Sequence, residues 1–191
     1  MEKLNKFKLL LASKSPRRQY LLTELGLTFE VKTKEVDESF PEDLKAQEIP
    51  LYLCKKKADA FDEELSENTV VITADTIVWV DNQVLNKPEN FEDAVRMLKI
   101  LSGKKHEVYT GVCLKSASKI KTFYAKTDVF FKELSDEEIN YYITNYNPYD
   151  KAGAYGAQEW IGYIAVEKIV GSYFNVMGLP VKEVYEELMD F

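Results

Sequence analysis

The sequence of 191 residues is short of metal ligands, with one histidine and two cysteines, Cys54 and Cys113, and no CxxC pair. A structural zinc site needs four such ligands at close spacing and is excluded. Excess positive charge is also missing. There are 25 Lys and Arg against 32 Asp and Glu, a net charge of −7. A general nucleic-acid binder shows the opposite balance, so no nucleic-acid partner is expected. An anionic ligand would have to be held by local cations against the global field. No apolar run approaches membrane-spanning length, and the apolar part of MEKLNKFKLLLAS is too short for a signal peptide. The expectation is therefore a cytoplasmic protein with no membrane partner. Repeats and low-complexity linkers are absent, and the predicted organisation is a single domain over 1–191, either one compact unit or a tightly joined pair of lobes. The hydrophobic share of 46% and charged share of 30% are those of a globular chain long enough to bury a core.

What is present is organised around Leu9 to Leu25, LLLASKSPRRQYLLTEL. The run Leu9 to Ala12 reads as a short buried strand, and Ser13-Lys14-Ser15 breaks it. Ser15 is a candidate N-cap. Pro16 suits a first helical position, where the missing N–H is an orphan anyway. Leu21, Leu22 and Leu25 supply the apolar helix face. Arg17 and Arg18 oppose the helix dipole in its first turn, at about 0.3–1 kcal/mol each. Two readings follow. Either the arginines are solvated and the serines merely cap, or Ser13, Ser15, Arg17, Arg18 and the free N–H groups form a phosphate cradle.

Further along, Gly26 is a candidate helix C-cap, and Thr28 to Lys32 alternate like a strand. Thr33 to Asp43 is an acidic loop containing Glu38. PLYLCKKKADAFDEEL from Pro50 predicts a helix with Leu51, Cys54, Ala58, Phe61 and Leu65 inward. Lys55, Lys56 and Lys57 point in different directions on it, so at most one or two face a common site. Val70 to Ile72 reads as a strand buried on both faces. Asp75 is placed at its end, Ile77 to Val80 resume the pattern, and Asp81-Asn82 turns into Val84 and Leu85. A carboxylate inside VVITADTIVWV is costly unless it is paired, hydrogen-bonded or metal-bound, so Asp75 is a candidate functional acid. Asn86-Lys87-Pro88 then returns a cation to the neighbourhood.

Asn90 caps a helix to Leu101. His106 to Lys115 and Lys119 to Phe131 form a hairpin, with His106 read as a packing or hydrogen-bonding residue. Ser135 to Glu138 is a capping box. NYNPYDKAGAYGAQ, 145–158, is turn-rich, and its small residues would let backbone approach a ligand closely. Ile161 to Val170 reads as a last strand, and Pro180 opens a terminal helix.

The motif Ser-x-Ser-Pro-Arg-Arg after an apolar strand resembles the signature of the Maf family of nucleoside triphosphate pyrophosphatases. Ala74-Asp75-Thr76, Asn86-Lys87-Pro88, Ser102-Gly103 with His106, Asp150 to Gln158, and Gly171-Ser172-Tyr173 through Gly178-Leu179-Pro180 follow in the family's order. The resemblance implies an α/β fold with a mixed, twisted sheet flanked by helices. It also implies an elongated two-lobed shape with a central cleft, similar to the inosine triphosphatases. For activity it implies divalent-metal-dependent (Mg2+ or Mn2+) hydrolysis of a nucleoside triphosphate to monophosphate and pyrophosphate. Ala-Asp-Thr and Asp-Lys-Ala-Gly-x-Tyr-Gly-x-Gln are similar to the pyrimidine branch, which acts on dTTP and UTP. One departure is Glu159, where many relatives have glycine; a carboxylate there bears on base selectivity or the local backbone. Lys57 and Glu38 also fall on family positions. A homodimer and an association with septum formation belong to the same implication.

The residues fit that chemistry. Hydrolysis between the α- and β-phosphates needs charge neutralisation, an oriented water and a base. Asp75 and Glu38 are the candidate metal ligands and base, and Asp75 is the better placed for the water; Lys87 joins them as a catalytic cation. Ser13, Ser15, Arg17, Arg18, Lys57 and Thr76 are candidate substrate contacts. Gln158 offers an amide donor and acceptor to the O4/N3 edge of uracil or thymine. The competing expectations are a nucleotide-binding regulator of cell division with little catalysis, and a pyrophosphatase for a purine or modified nucleotide.

Overall fold

A computed structural model describes residues 6–191. Met1 to Asn5, the start of the stretch read for a signal peptide, lie outside the described residues. The leucines of β1 (Lys8–Leu11) sit between two parallel neighbours, β2 (Phe29–Val31) and β3 (Thr69–Val80), with Leu9 opposite Phe29 on one side and Val70 on the other. Leu9, Leu10 and Leu11 are all buried, so both faces of β1 are covered, which is why the sequence runs LLL without alternation. With β5 (Lys105–Lys115), β6 (Ile120–Phe131) and β7 (Val166–Val170), the seven-stranded sheet has the order β2-β1-β3-β5-β6-β7, and β4 (Gln83–Leu85) pairs antiparallel to β3. β6 also pairs β7 antiparallel. The sheet is therefore mixed. Its helices are α1 (Pro16–Glu24), α2 (Glu48–Asp59), α3 (Phe91–Leu101), α4 (Asp136–Tyr146), α5 (Trp160–Ala165), α6 (Tyr173–Met177) and α7 (Val181–Met189).

The chain divides into two compact units, and the division falls inside β3, β5 and β6. The first comprises the chain through Asp75, Thr110–Ala125 and Gly178–Phe191. Leu10, Cys54, Ala58, Phe61, Val71 and Cys113 pack together within it. The second comprises Thr76–Tyr109 and Lys126–Met177, and its core holds Val78, Leu98, Val129, Ile139, Tyr142 and Tyr155 among others. Each aliphatic side chain removed from water in these cores contributes about 1.5–3 kcal/mol.

Three elements differ from the sequence reading. β3 is continuous from Thr69 to Val80, so Asp75 lies within a strand rather than at its end. α2 starts at Glu48, two residues before Pro50, and buries Leu53 while Leu51 is only half-buried. Pro50 is tolerated because the N–H groups of a first helical turn have no intrahelical acceptor. The expected last strand is α5 followed by β7, with Ile161 and Ala165 buried at helical spacing.

Candidate active site

In the first unit, the loop after β1 feeds directly into the capped start of α1. Ser15 Oγ accepts the Arg18 N–H at 3.4 Å, and Ser13 Oγ accepts the Ser15 N–H at 3.2 Å. Both serine hydroxyls therefore shape the turn. The far end of α1 is closed by backbone bonds: Gly26 N–H donates to Thr23 O at 2.8 Å and Leu27 N–H to Leu22 O at 3.4 Å, and Leu22 and Leu27 are both buried.

The paired arginines diverge. Arg18 donates from Nε to Gly178 O and from Nη1 to Ala74 O, both at 2.8 Å. Burial lowers the Arg18 pKa from its ordinary value and the Asp75 carboxylate opposes this; a guanidinium is not deprotonated in a protein. Arg17 and Glu38 belong to the same electrostatic neighbourhood. The first turn of α1 is thereby tied to the backbone immediately before Asp75.

Lys57, on the last turns of α2, carries the second half of this cluster. Its Nζ lies 2.6 Å from Asp75 Oδ1 and 2.9 Å from Glu38 Oε1. The Lys57 and Asp75 side chains are 16% and 14% exposed, and that of Glu38 is 50% exposed. Of the lysine trio, Lys55 instead pairs with Asp59, and Lys56 with Asp37 at 3.0 Å. Asp37 is held down to about 2, chiefly by the hydrogen bonds it accepts from Ser39 and then from Lys56. Ser13, Ser15, Arg17, Arg18, Glu38, Lys57 and Asp75 therefore belong to one unit. Among the described residues, no group of three or more His, Cys, Asp or Glu side chains is arranged to hold a metal ion. Glu38 and Asp75 are two carboxylates flanking one ammonium.

Thr76, Lys87 and Gln158 belong to the second unit. There the hairpin β3–β4, turned at Asp81 and Asn82 with φ of +49° and +60°, leads into Asn86-Lys87-Pro88. Asn86 O accepts the Gly153 N–H at 3.1 Å, which fastens this segment to the 150–158 loop. Gly153 has φ of +69°, and a Cβ on it would stand 2.8 Å from Val78 Cγ2. Gly153 to Ala157 are buried. The small residues expected to let backbone approach a ligand are used to seat the loop in the core.

Gln158 is carried by a β-turn in which Glu159 N–H bonds to Gly156 O at 3.0 Å. Its Oε1 is buried without a hydrogen-bond partner among the described residues. Glu159 does not reach toward solvent. Its carboxylate accepts from Lys151 Nζ at 3.0 Å and from the Tyr142 hydroxyl, and that hydroxyl accepts the Gly156 N–H at 3.0 Å. Burial, and then Glu159, push the Tyr142 hydroxyl far up, so it remains a donor. Tyr142 is not marked by any sequence feature, and Lys151 stands in the sequence only as part of the Asp150 to Gln158 motif, without a role of its own. His106 bonds through Nε2 to the Tyr155 hydroxyl at 2.7 Å and meets Phe131 edge-on, which is the packing role read from sequence.

The family model described as Maf-like protein matches residues 8–191. A dTTP/UTP pyrophosphatase of Phocaeicola vulgatus is 56% identical over 189 residues, covering 98% of both chains. One of Flavobacterium johnsoniae is 54% identical over 98% of this chain and 96% of its own, and one of Parabacteroides distasonis is 50% identical over 100% of both. A solved nucleoside-triphosphatase, a dITP/XTP pyrophosphatase from Mycobacterium abscessus, is 12% identical over 65% of this chain and 73% of its own. Its TM-score is 0.40, a likeness too slight to bear on the fold.

Proposed function

Because this chain belongs to the Maf family, we propose that it is a nucleoside triphosphate pyrophosphatase that cleaves dTTP and UTP to the nucleoside monophosphate and pyrophosphate. The observation that carries this reading is the carboxylate–ammonium–carboxylate group of Glu38, Lys57 and Asp75, tied through Arg18 to the first turn of α1. Bond breaking between the α- and β-phosphates requires a water aimed at the α-phosphorus and a group to take its proton. Asp75 is assigned that role, held in orientation by Lys57. Arg17, Lys57 and Lys87 hold the phosphate oxygens, and their charge counts most where negative charge accumulates on departing pyrophosphate. Arg18 commits two N–H groups to carbonyls and lends its charge from behind. Ser13, Ser15 and Thr76 complete the substrate contacts.

The donor set fits a divalent cation. Mg2+ commonly takes one or two carboxylates and fills its octahedron with phosphate oxygens and water, and Glu38 and Asp75 are brought to a common cation by Lys57. Such an ion, when bound, withdraws charge from the triphosphate. Gln158 is assigned to the base, because its unpaired Oε1 suits the N3–H of uracil or thymine. A single Maf domain acting as a cytoplasmic homodimer completes the reading, on the family resemblance alone.

The test is pyrophosphate release from UTP, dTTP, CTP, GTP and ATP with Mg2+ or Mn2+. Wild-type protein is expected to prefer UTP and dTTP, and Gln158→Leu to lose roughly ten- to a hundred-fold in kcat/KM on these two, the effect of leaving one buried polar edge unpaired. An equal loss on all five would remove Gln158 from base recognition. Nucleotide binding without turnover would favour a regulator.

A further inference from the structure

We infer that Glu159 and Tyr142 are positioning residues for Gln158: together they clamp the β-turn that presents its amide, and through it they set the preference for a pyrimidine base. This rests on the reading of Gln158 given above and adds the residues that hold it. The turn runs from Gly156 to Glu159, with Gln158 at its third position. Both of its ends are fixed by one hydroxyl, since Gly156 N–H donates to Tyr142 Oη and Tyr142 Oη donates to Glu159 Oε2. Tyr142 comes from α4 and is fully buried, so the clamp is anchored outside the loop. The other oxygen, Glu159 Oε1, accepts from Lys151 Nζ, whose side chain is 8% exposed, and this ties the start of the loop to its end.

Proximity to the amide is direct. A Cβ on Gly156 would lie 2.9 Å from Glu159 Cδ and 3.0 Å from Gln158 Nε2, so carboxyl and amide pack over the same glycine. Gln158 Oε1 meanwhile stays buried and unpaired among the described residues. An amide free to rotate or withdraw would satisfy that oxygen, because leaving it unmade is costly. A rigid frame that denies it an internal partner reserves it for a ligand.

The experiment measures kcat and KM for UTP, dTTP, CTP, GTP and ATP in wild type, Tyr142→Phe, Gln158→Leu and the double variant Tyr142→Phe/Gln158→Leu, with melting temperatures for each. Tyr142→Phe keeps the ring and the Lys151–Glu159 pair and removes only the hydroxyl. It is expected to lower kcat/KM for UTP and dTTP by up to about tenfold, mainly through KM, the effect of misplacing one neutral hydrogen bond. GTP and ATP should change little, so the pyrimidine-to-purine ratio should fall. In the Gln158→Leu background the same change should leave the ratio where Gln158→Leu put it, since residues acting through one another are not additive. Glu159→Asp, which keeps the charge facing Lys151 and draws it back from Tyr142, should reproduce the fall if Tyr142→Phe does not fold. A ratio unchanged in either folded variant, or a further fall of equal size in the Gln158→Leu background, overturns the inference while leaving the base reading intact. A wild-type protein without pyrimidine preference overturns both.

Discussion

Lys57 ties two carboxylates to one charge, and its removal gives the clearest reading of what those carboxylates are for. Losing one partner of a well-buried ion pair costs about 3–5 kcal/mol. Here the side chains retain 14–16% exposure, and Glu38 is half open to water, so Lys57→Met should cost less, about 2 kcal/mol. The variant leaves Asp75 and Glu38 facing an uncompensated space. If they hold a divalent cation, Mg2+ should raise the melting temperature of Lys57→Met by more than that of wild type, since binding to the folded state alone adds stability with ligand concentration. Equal shifts would mean that the pair is not a cation site. Asp75→Asn is the companion change. The amide still accepts from Lys57 but takes no proton, so turnover should fall by about 10²–10⁴-fold with the circular dichroism spectrum retained. A variant keeping most of the wild-type rate would remove Asp75 as the base. At this scale the sequence was informative about chemistry and silent about partnership. An acid within an apolar run announces that something must compensate it, but only the fold shows that Lys57, and neither Lys55 nor Lys56, does so.

The first helix shows how an element sorts residues that look alike in sequence. Arg17 and Arg18 are adjacent, and successive helical positions point about 100° apart, so one faces backbone carbonyls of the same unit while its neighbour takes another direction. Arg18→Ala should therefore be a stability variant, losing two hydrogen bonds from a charged donor and costing on the order of 2–3 kcal/mol. Arg17→Ala removes a cation from a helix N-terminus, a gain of about 0.3–1 kcal/mol set against the contacts that Arg17 makes, so it should cost less stability than Arg18→Ala while raising KM and lowering kcat. Thermal denaturation and steady-state kinetics on the two variants separate these outcomes, and a stability loss in Arg17→Ala as large as that of Arg18→Ala would make Arg17 a structural residue rather than a phosphate ligand. The caps of α1 and the capping box at Ser135 were legible because they depend on local residue types. β3 was cut short in the sequence reading because Asp75 resembles a strand end. Its continuity depends on α2, which supplies both Lys57 and, at Cys54, the carbonyl that accepts from buried Thr73 at 2.6 Å. The segment from Ile161 to Val166 reads as strand in the sequence because IGYIAV is apolar without a break. The helix is decided by its first turn, where Glu159 O accepts from Gly162 N–H at 2.8 Å, and a Cβ on Gly162 would collide with the Ala157 carbonyl.

For the molecule as a whole, one buried group dominates what mild acid should do to stability. His106 is 1% exposed, and burial lowers its pKa from 6.5 to about 3 against the opposing charge of Asp128. Its ring is wedged between Phe131 and Tyr155, whose hydroxyl it bonds. The folded protein therefore keeps His106 neutral down to about pH 3, while the unfolded chain takes up a proton near pH 6.5. Between those values the unfolded state binds the extra proton, so stability falls as pH falls, with a slope approaching 1.4 kcal/mol per pH unit. The contribution is fully present above pH 6.5 and is lost progressively toward pH 3. From pH 7 to pH 5 this one group should remove about 2 kcal/mol, a range in which most carboxylates have yet to titrate. His106→Gln keeps an amide that can meet the Tyr155 hydroxyl and cannot take that proton. It should be less stable than wild type at pH 7, through looser packing beside Phe131, yet lose about 2 kcal/mol less on going to pH 5. Urea unfolding of both proteins at the two pH values measures the difference directly, since linear extrapolation gives each stability independently. Parallel losses in the two proteins would mean that His106 is already satisfied as a cation in the fold, and that the Tyr155–His106–Phe131 contact does not exclude a proton from the core.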